Sequence, residues 1–304
     1  MPARAGGVTT PLVAHADRPD SLKFLGTAGA RIAVSTQLRH SGGLVWTLRG
    51  RRIWVDPGPG ALVRALSARP KIDPASTDVL VVSHRHLDHT GDATAVVEAM
   101  TRGGLSPRGL LLAPRDALEV EPAVHRYAQR YVSRVAALAE GSRHDLGGGV
   151  TLATPIAHDH GVETYGYRLE TPGFAAAHVV DGAWLDRLPS AYAGVDLLVL
   201  NVTLPARDRR FLHLGAEDAE RLVAAIRPRL AVLTHLGMKM LRARPEEVAL
   251  GISSRTGVPT VAARDGWLLA LDPLLPEAAV RSRAPLRRAP RAGTGAEAGD
   301  EAEP

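Results

Sequence analysis

Short apolar runs alternate along the chain with polar and glycine-rich breaks. The sharpest is Val79-Leu80-Val81-Val82, held between Asp78 and Ser83. A short, mostly β-branched run bounded by polar residues is the pattern of a buried strand. Comparable runs predict strands over residues 22–26, 43–48, 52–55, 78–83, 109–113, 150–154, 174–180, 196–201, 230–234, 259–263 and 267–271. Gly50, between the second and third of these, suggests a hairpin. Helical spacing is read over 61–68, from 93 to about 100, and over 216–226, where Ala219, Leu222, Val223 and Ile226 share a face. A last helix begins near Pro245, a favoured first-turn residue. Residues 121–140 have mixed polarity, and Tyr127, Tyr131, Val132 and Val135 predict an amphipathic helix there. Strands first and mixed β/α later recur in each half, with no obvious sequence repeat.

Composition narrows the class. The 304 residues, 45% hydrophobic, suffice for one large or two small domains with a substantial core. There is no cysteine, so neither a disulfide nor a thiolate ligand is available, and any metal must be held by His, Asp or Glu. No apolar run approaches the ~20 residues of a membrane span, and the first residues lack the apolar centre of a secretory signal. The expectation is a soluble, cytoplasmic protein without a membrane partner. The net charge of +5 carries little weight for nucleic acid, because Arg281, Arg283, Arg287, Arg288 and Arg291 all lie in a Pro-, Ala- and Gly-rich tail.

The chemistry concentrates in Ser83-His84-Arg85-His86-Leu87-Asp88-His89-Thr90-Gly91-Asp92, directly after the sharpest strand. Three histidines and an aspartate fall within six positions. Imidazole and carboxylate are the nitrogen and oxygen ligands of zinc and similar divalent ions. His84 and His86, two apart, can point to one side of an extended loop. Asp88 and His89 follow a turn later and can face a second ion. One histidine would read as a capping group of a polar loop; this density reads as metal binding.

His84-x-His86-x-Asp88-His89 resembles the signature of the metallo-β-lactamase-fold hydrolases, and the resemblance extends over about residues 22–271. It implies an α/β (α+β) class protein, a four-layer αβ/βα sandwich of the metallo-β-lactamase type. One hydrolase domain is expected over 21–275, with a flexible N-terminus at 1–20 and, from composition, a disordered tail at 276–304. Leu25-Gly26-Thr27 is similar to the opening stretch of ribonuclease Z, and the glycines of Gly26-Thr27-Ala28-Gly29 permit a tight turn with close backbone approach. Asp56 matches the family's first-motif aspartate, which orients its neighbours; an Asx-turn aspartate is the other reading. His160-x5-Gly166-Tyr167 resembles the third motif of ribonuclease Z and the cyclic-phosphate phosphodiesterases. Lactonase and glyoxalase members carry a His-Thr-x-Gly-His type of sequence there, which is absent here.

Asp181, after a strand, and His235, in Leu233-Thr234-His235-Leu236, fit the remaining metal motifs. The expected set is His84, His86 and His160 on one ion, Asp88, His89 and His235 on the other, and Asp181 between them. His158 competes with His160. The implied cofactors are two divalent ions, Zn2+ first and Mn2+ second. His213 precedes an alanine-containing helix as His213-x3-Glu217-x-Ala219. In phosphodiesterase-like relatives a histidine at this motif is taken to stabilise the phosphate transition state or protonate the leaving group. The helix dipole there would disfavour its charged form; a helix-capping or surface histidine is the alternative.

The resemblance thus implies a metal-dependent hydrolase, foremost a phosphodiesterase with a metal-activated hydroxide, and with Asp88 and His213 as catalytic groups. Its substrate would be a small-molecule or nucleotide phosphodiester, with RNA as the less favoured partner. Arg168 is a further phosphate-binding candidate, set against a solvated strand residue. The alternatives are a ribonuclease Z-type tRNA 3′-processing enzyme without the long arm, a lactonase or thioester hydrolase, and a non-catalytic metal sensor. Only 13 residues separate Tyr167 from Asp181, too few for the arm many ribonuclease Z members carry there. A homodimer stays open. Removing residues 277–304 is expected to leave metal content and diester turnover nearly unchanged, because the segment has too little apolar surface to pack. A large loss of either in the truncated protein would place that segment in the fold or the site.

Overall fold

The continuous apolar runs are strands covered on both faces. The computed structural model describes residues 18–274. The expected tail at 276–304 lies outside the described residues, as does the expected flexible N-terminus apart from residues 18–20.

The first half of the chain contributes β1 (Ser21–Phe24), β2 (Leu44–Leu48), β3 (Arg51–Val55), β4 (Val79–Val81), β5 (Leu110–Pro114) and β6 (Arg134–Leu138). The second contributes β7 (Ser142–Gly147), β8 (Val150–Thr154), β9 (Tyr167–Thr171), β10 (Phe174–Val179), β11 (Leu197–Asn201), β12 (Leu230–Thr234) and β13 (Thr260–Ala262). A last strand, β14 (Leu268–Ala270), returns to pair with β1, so the two sheets run β14-β1-β2-β3-β4-β5-β6 and β13-β12-β11-β10-β9-β8-β7. Each sheet is antiparallel at one end and parallel at the other: β3 to β6 are parallel, and so are β10 to β13. The recurrence legible in the sequence is therefore architectural.

Alternation within the runs assigns the layers. Val79 and Val81 face inward with Ile53, Val55, Leu110 and Leu112, and meet Leu197, Val199 and Val232 of the other sheet. The intervening residues Leu80, Val82 and Leu111 face outward, under α2 (Ala61–Ser67), α4 (Ala93–Thr101) and α5 (Arg126–Gln129). Leu198, Leu200 and Leu233 face the opposite way, under α6 (Leu188–Ala191), α7 (Ala216–Ile226), α8 (Met238–Arg242) and α9 (Pro245–Thr256). Two short helices complete the set: α1 (Arg31–Thr36), and α3 (Leu87–Thr90) in the histidine loop. The result is the expected four-layer αβ/βα sandwich. Parallel strands buried on both faces carry no polar alternation, which is why these runs were legible.

The amphipathic helix expected over 121–140 is not formed. Val120 ends a π-turn over Asp116–Val120, α5 spans one turn, and residues 134–138 form the edge strand β6. Tyr127 and Val135, two of the four residues that suggested an apolar face, are exposed, while Val132 is buried. The pairing of Arg134 through Leu138 with β5 takes that part of the segment out of the helical pattern.

One polar contact crosses the sandwich interior. Trp46 Nε1 on β2 donates to Tyr167 Oη on β9 at 2.9 Å, with both rings buried. Trp46→Phe would strand the tyrosine hydroxyl and is expected to cost about 1–3 kcal/mol in denaturant unfolding. Adding Tyr167→Phe should recover part of that loss; additive losses in the double mutant would mean the contact is not coupled.

Candidate metal centre

Five histidines and three aspartates meet at the rim where the parallel strands end. β4 delivers His84 and His86, and α3 then presents Asp88 and His89. Asp56 follows β3, Asp181 follows β10, and His235 follows β12. His160 enters from the loop between β8 and β9. The donor atoms of His84, His86 and His160 lie within 4.8 Å of one another, as do those of Asp88, His89, Asp181 and His235. All seven expected ligands are therefore brought together, at the crevice beyond the strand ends where open α/β sheets place their ligands.

For His84, His89 and His160 the local chemistry fixes which ring nitrogen is offered. Asp56 accepts from the Ser83 N–H at 2.7 Å, from the Ser83 hydroxyl at 2.7 Å and from His89 Nδ1–H at 2.9 Å. The Ser83 proton is thereby committed to the carboxylate, so its oxygen accepts from His84 Nδ1–H at 3.0 Å. His160 Nδ1–H donates to the Leu212 carbonyl at 2.8 Å. In each case the outer nitrogen carries the proton and Nε2 turns inward with its lone pair, the arrangement that prepares histidine for a metal. Of the two readings of Asp56, the orienting one describes its contacts.

The donor set fits divalent cations. His84 Nε2 is buried and has no hydrogen-bond partner among the described residues. His86 Nδ1 and His160 Nε2 stand 3.1 Å apart, as do His89 Nε2 and His235 Nε2. Two nitrogens on one tetrahedral zinc are separated by about 3.3 Å, given Zn–N bonds of 2.0–2.1 Å. Charge points the same way. Burial alone would lower the pKa of His89, but the Asp88 and Asp56 carboxylates raise it well above the ordinary value. The two carboxylates thus favour positive charge at this point, which a divalent ion would supply. Burial, reinforced by His89, holds His84 uncharged, as a ligand must be.

Asp181 is the hub. Its Oδ2 lies 4.0 Å from His84 Nε2, 3.4 Å from His89 Nε2, 3.6 Å from His160 Nε2 and 3.8 Å from His213 Nδ1. Its Oδ1 instead meets Asn201 Nδ2 at 3.0 Å and His235 Nδ1 at 3.2 Å. His158 is turned elsewhere: Nδ1 meets the Asp181 carbonyl at 3.1 Å and Nε2 the Tyr192 hydroxyl at 2.8 Å. Gly166 lies against this pair, where a Cβ would collide with the Tyr192 hydroxyl, which accounts for the glycine of the Gly166-Tyr167 motif.

His213 lies beside the cluster, its ring 4.9 Å from that of His160 and its Nδ1 3.3 Å from Thr203 Oγ1. The helix expected over 216–226 is formed from Ala216, after Gly215, so His213 stands just before it. Burial pulls its pKa down to about 4 against the opposing charge of Asp181. Arg168 donates to Glu170 at 2.9 Å and to the Ala193 carbonyl at 2.6 Å, the strand-residue reading. Ser83, Asn201, Thr203 and the Leu212 carbonyl were not singled out from sequence. The available signal was position: Asn201 closes an apolar run, as the ligands do.

A four-layer αβ/βα sandwich with a histidine–aspartate centre at its rim defines a class of metal-dependent hydrolases. The family model described as "Beta-lactamase superfamily domain" matches residues 51–236, and the chain belongs to this superfamily. An uncharacterized protein of Methanocaldococcus jannaschii is 33% identical over 249 residues, covering 80% of this chain and 92% of that protein. A ribonuclease Z of Kineococcus radiotolerans is 31% identical over 170 residues, 54% of this chain and 52% of its own length. Among solved structures, the metallo-β-lactamase fold protein YhfI of Bacillus subtilis superposes with a TM-score of 0.67 at 17% identity, covering 83% of this chain and 99% of YhfI. No helix among the described residues is long and apolar enough to cross a membrane.

The rim is tied to the loop that opens the fold. Leu236 N–H donates to the Thr27 carbonyl at 2.7 Å, and a Cβ at Gly29 would collide with the His235 ring, so the expected close backbone approach occurs there. Next to it Ala30 donates its N–H to Asp88 Oδ2 at 3.2 Å, from φ 62° and ψ 159°. That region is essentially reserved for glycine and costs of order 1–3 kcal/mol for other residues. Ala30→Gly is therefore expected to raise stability by about 1 kcal/mol, after the ~0.5–1 kcal/mol entropic cost of glycine. Thermal unfolding checks this; a fall in melting temperature would contradict the strain.

Proposed function

We propose that this chain is a metal-dependent phosphodiesterase with a binuclear centre. The observation that carries the reading is the convergence of two donor groups on Asp181 Oδ2. His84, His86 and His160 would hold one ion, Asp88, His89 and His235 the other, and Asp181 would join them. With nitrogen and oxygen donors and no thiolate, Zn2+ is the first candidate and Mn2+ the second. Two divalent ions held there would lower the pKa of a water toward neutrality and offset phosphate charge. The protein's part is orientation. Asp56 and Leu212 fix the ligand tautomers, Asp88 is set by Ala30, and His213 stands at the open side of the hub with a ring nitrogen available to a phosphate or leaving-group oxygen.

Phosphodiester chemistry is favoured over lactone or thioester hydrolysis by the His160-x5-Gly166-Tyr167 pattern and by the ribonuclease Z relative, and a donor set suited to holding metal for chemistry favours an enzyme over a sensor. That relative also supports a second reading, tRNA 3′ processing. The connection between β9 and β10 argues against it, since it is a tight turn at residues 172–173 with no arm. A turnover panel with metal-analysed protein tests both: bis-p-nitrophenyl phosphate, cyclic nucleotides, precursor tRNA and a lactone. Hydrolysis of the lactone alone, or protein without bound metal, would overturn the reading.

His213→Ala separates chemistry from metal binding. The variant is expected to keep close to two ions per chain and to lose on the order of 10²–10³ in turnover. The loss should appear mainly in kcat, because the interaction strengthens as charge develops. If His213 acts as a general acid, the loss should shrink for an aryl diester, whose leaving group needs little protonation. Loss of an ion would make His213 a ligand, which its proximity to His160 and Asp181 allows; unchanged activity with every diester would remove it from the mechanism.

A further inference from the structure

The two oxygens of Asp181 face different groups: Oδ2 lies among His84, His89, His160 and His213, and Oδ1 lies beside Asn201 and His235. We infer that Asn201 and His178 form a positioning pair that sets this orientation, so that the site is built on a buried chain running His178 to Asn201 to Asp181. The inference rests on the metal-centre reading above.

Donor and acceptor counting leaves one arrangement. Ionised Asp181 can only accept, so Asn201 must turn its amide nitrogen toward Oδ1, which it does at 3.0 Å. The amide oxygen of Asn201 then points away and lies 2.8 Å from His178 Nε2. That nitrogen must carry the proton. Burial keeps His178 uncharged at neutral pH, with its pKa near 4, so its Nδ1 is the bare nitrogen. Nδ1 has no hydrogen-bond partner among the described residues, and nothing on that side competes to reverse the tautomer.

Each member is held by the fold. His178 sits on β10 and Asn201 ends the parallel neighbour β11, where His178 pairs in register with Val199. All three side chains are buried: His178 is 3% exposed, Asn201 3% and Asp181 2%. The His178 ring packs edge-on against Tyr167 at 5.4 Å, the same tyrosine that receives the Trp46 hydrogen bond. The consequence is the asymmetry of Asp181. Oδ1 is occupied by Asn201 and His235, while Oδ2 is left as the atom that four other histidines surround. Removing the amide would free the carboxylate to rotate and exchange its oxygens. Groups that orient a metal-bound carboxylate typically govern metal affinity by ~10–100-fold when lost.

The test uses full-length protein stripped of metal and then titrated with Zn2+ against a chromogenic chelator, and with Co2+ for its visible absorption spectrum. Asn201→Leu removes both hydrogen bonds at similar volume. It is expected to weaken one of two ions by ~10–100-fold and to alter the Co2+ spectrum while leaving the other ion bound. The histidine is tested by two amides of different reach. Glutamine can place its amide nitrogen near the imidazole Nε2, and asparagine can reach only Nδ1. His178→Asn should therefore resemble Asn201→Leu, and His178→Gln should restore affinity to within about threefold by supplying the same donor. Should Asn201→Leu fail to fold, the His178 pair decides the matter alone. Wild-type Zn2+ affinity and Co2+ spectrum in Asn201→Leu or His178→Asn would overturn the inference. So would equal damage from Gln and Asn at position 178, which would reduce the role to packing. Those results leave the metal-centre reading standing. A wild-type chain that takes up no Zn2+ would bring both down.

Discussion

The Asp56 carboxylate is the constraint on which the centre depends. It acts on two of the expected ligands, on His89 directly and on His84 through Ser83. It can do so because β3 and β4 are parallel neighbours in register, Val55 opposite Val81, so the residue after β3 and the residues after β4 emerge side by side. The backbone at Asp56 turns left-handed, φ 51°, immediately after the strand. Aspartate tolerates that conformation better than most residues. An apolar side chain there would leave the buried Ser83 hydroxyl, the Ser83 backbone N–H and the His89 imidazole N–H without acceptors, each a substantial desolvation cost.

What the sequence made legible follows from what each layer does to a side chain. Central strands lie between a core and a helix layer, so their residues are apolar without interruption and stand out. Edge strands do not. β7 reads Ser142-Arg143-His144-Asp145-Leu146-Gly147, with only Leu146 fully buried, and polar edges of this kind are how sheets avoid pairing with other chains. β6 is the matching edge of the other sheet, and its exposed Arg134 and Val135 were absorbed into an expected helix. Periodicity cannot separate a half-exposed edge strand from a helix face over so few residues.

The centre was legible in a similar, selective way. Its ligands are histidines and aspartates at the ends of apolar runs, rare residues in marked places. The groups that orient them are common ones: Ser83, Asn201, Thr203 and a backbone carbonyl at Leu212. A carbonyl leaves no trace in a sequence. His158 and His160 looked equivalent because they sit two apart on one loop. They are separated by which partners the fold supplies, a tyrosine hydroxyl and a carbonyl for His158 against the open cluster for His160.

Polar convergence of this density has to be held in place by the apolar layers around it. Six ring systems within 4.1 to 5.9 Å of their neighbours, and three carboxylates beside them, gain little from packing on each other and lose hydration on being buried together. The rim also holds His235 in a left-handed conformation and Ala30 in a strained one. None of these features would persist on a loose scaffold. They persist where strand ends are pinned, and each ligand-bearing strand here is pinned twice: by ladder partners on both sides, and by inward and outward apolar residues on both faces. The uninterrupted apolar runs and the histidine cluster are therefore one feature of the sequence. Strands rigid enough to be buried on both faces are what permit so many ionisable groups to be placed at their ends.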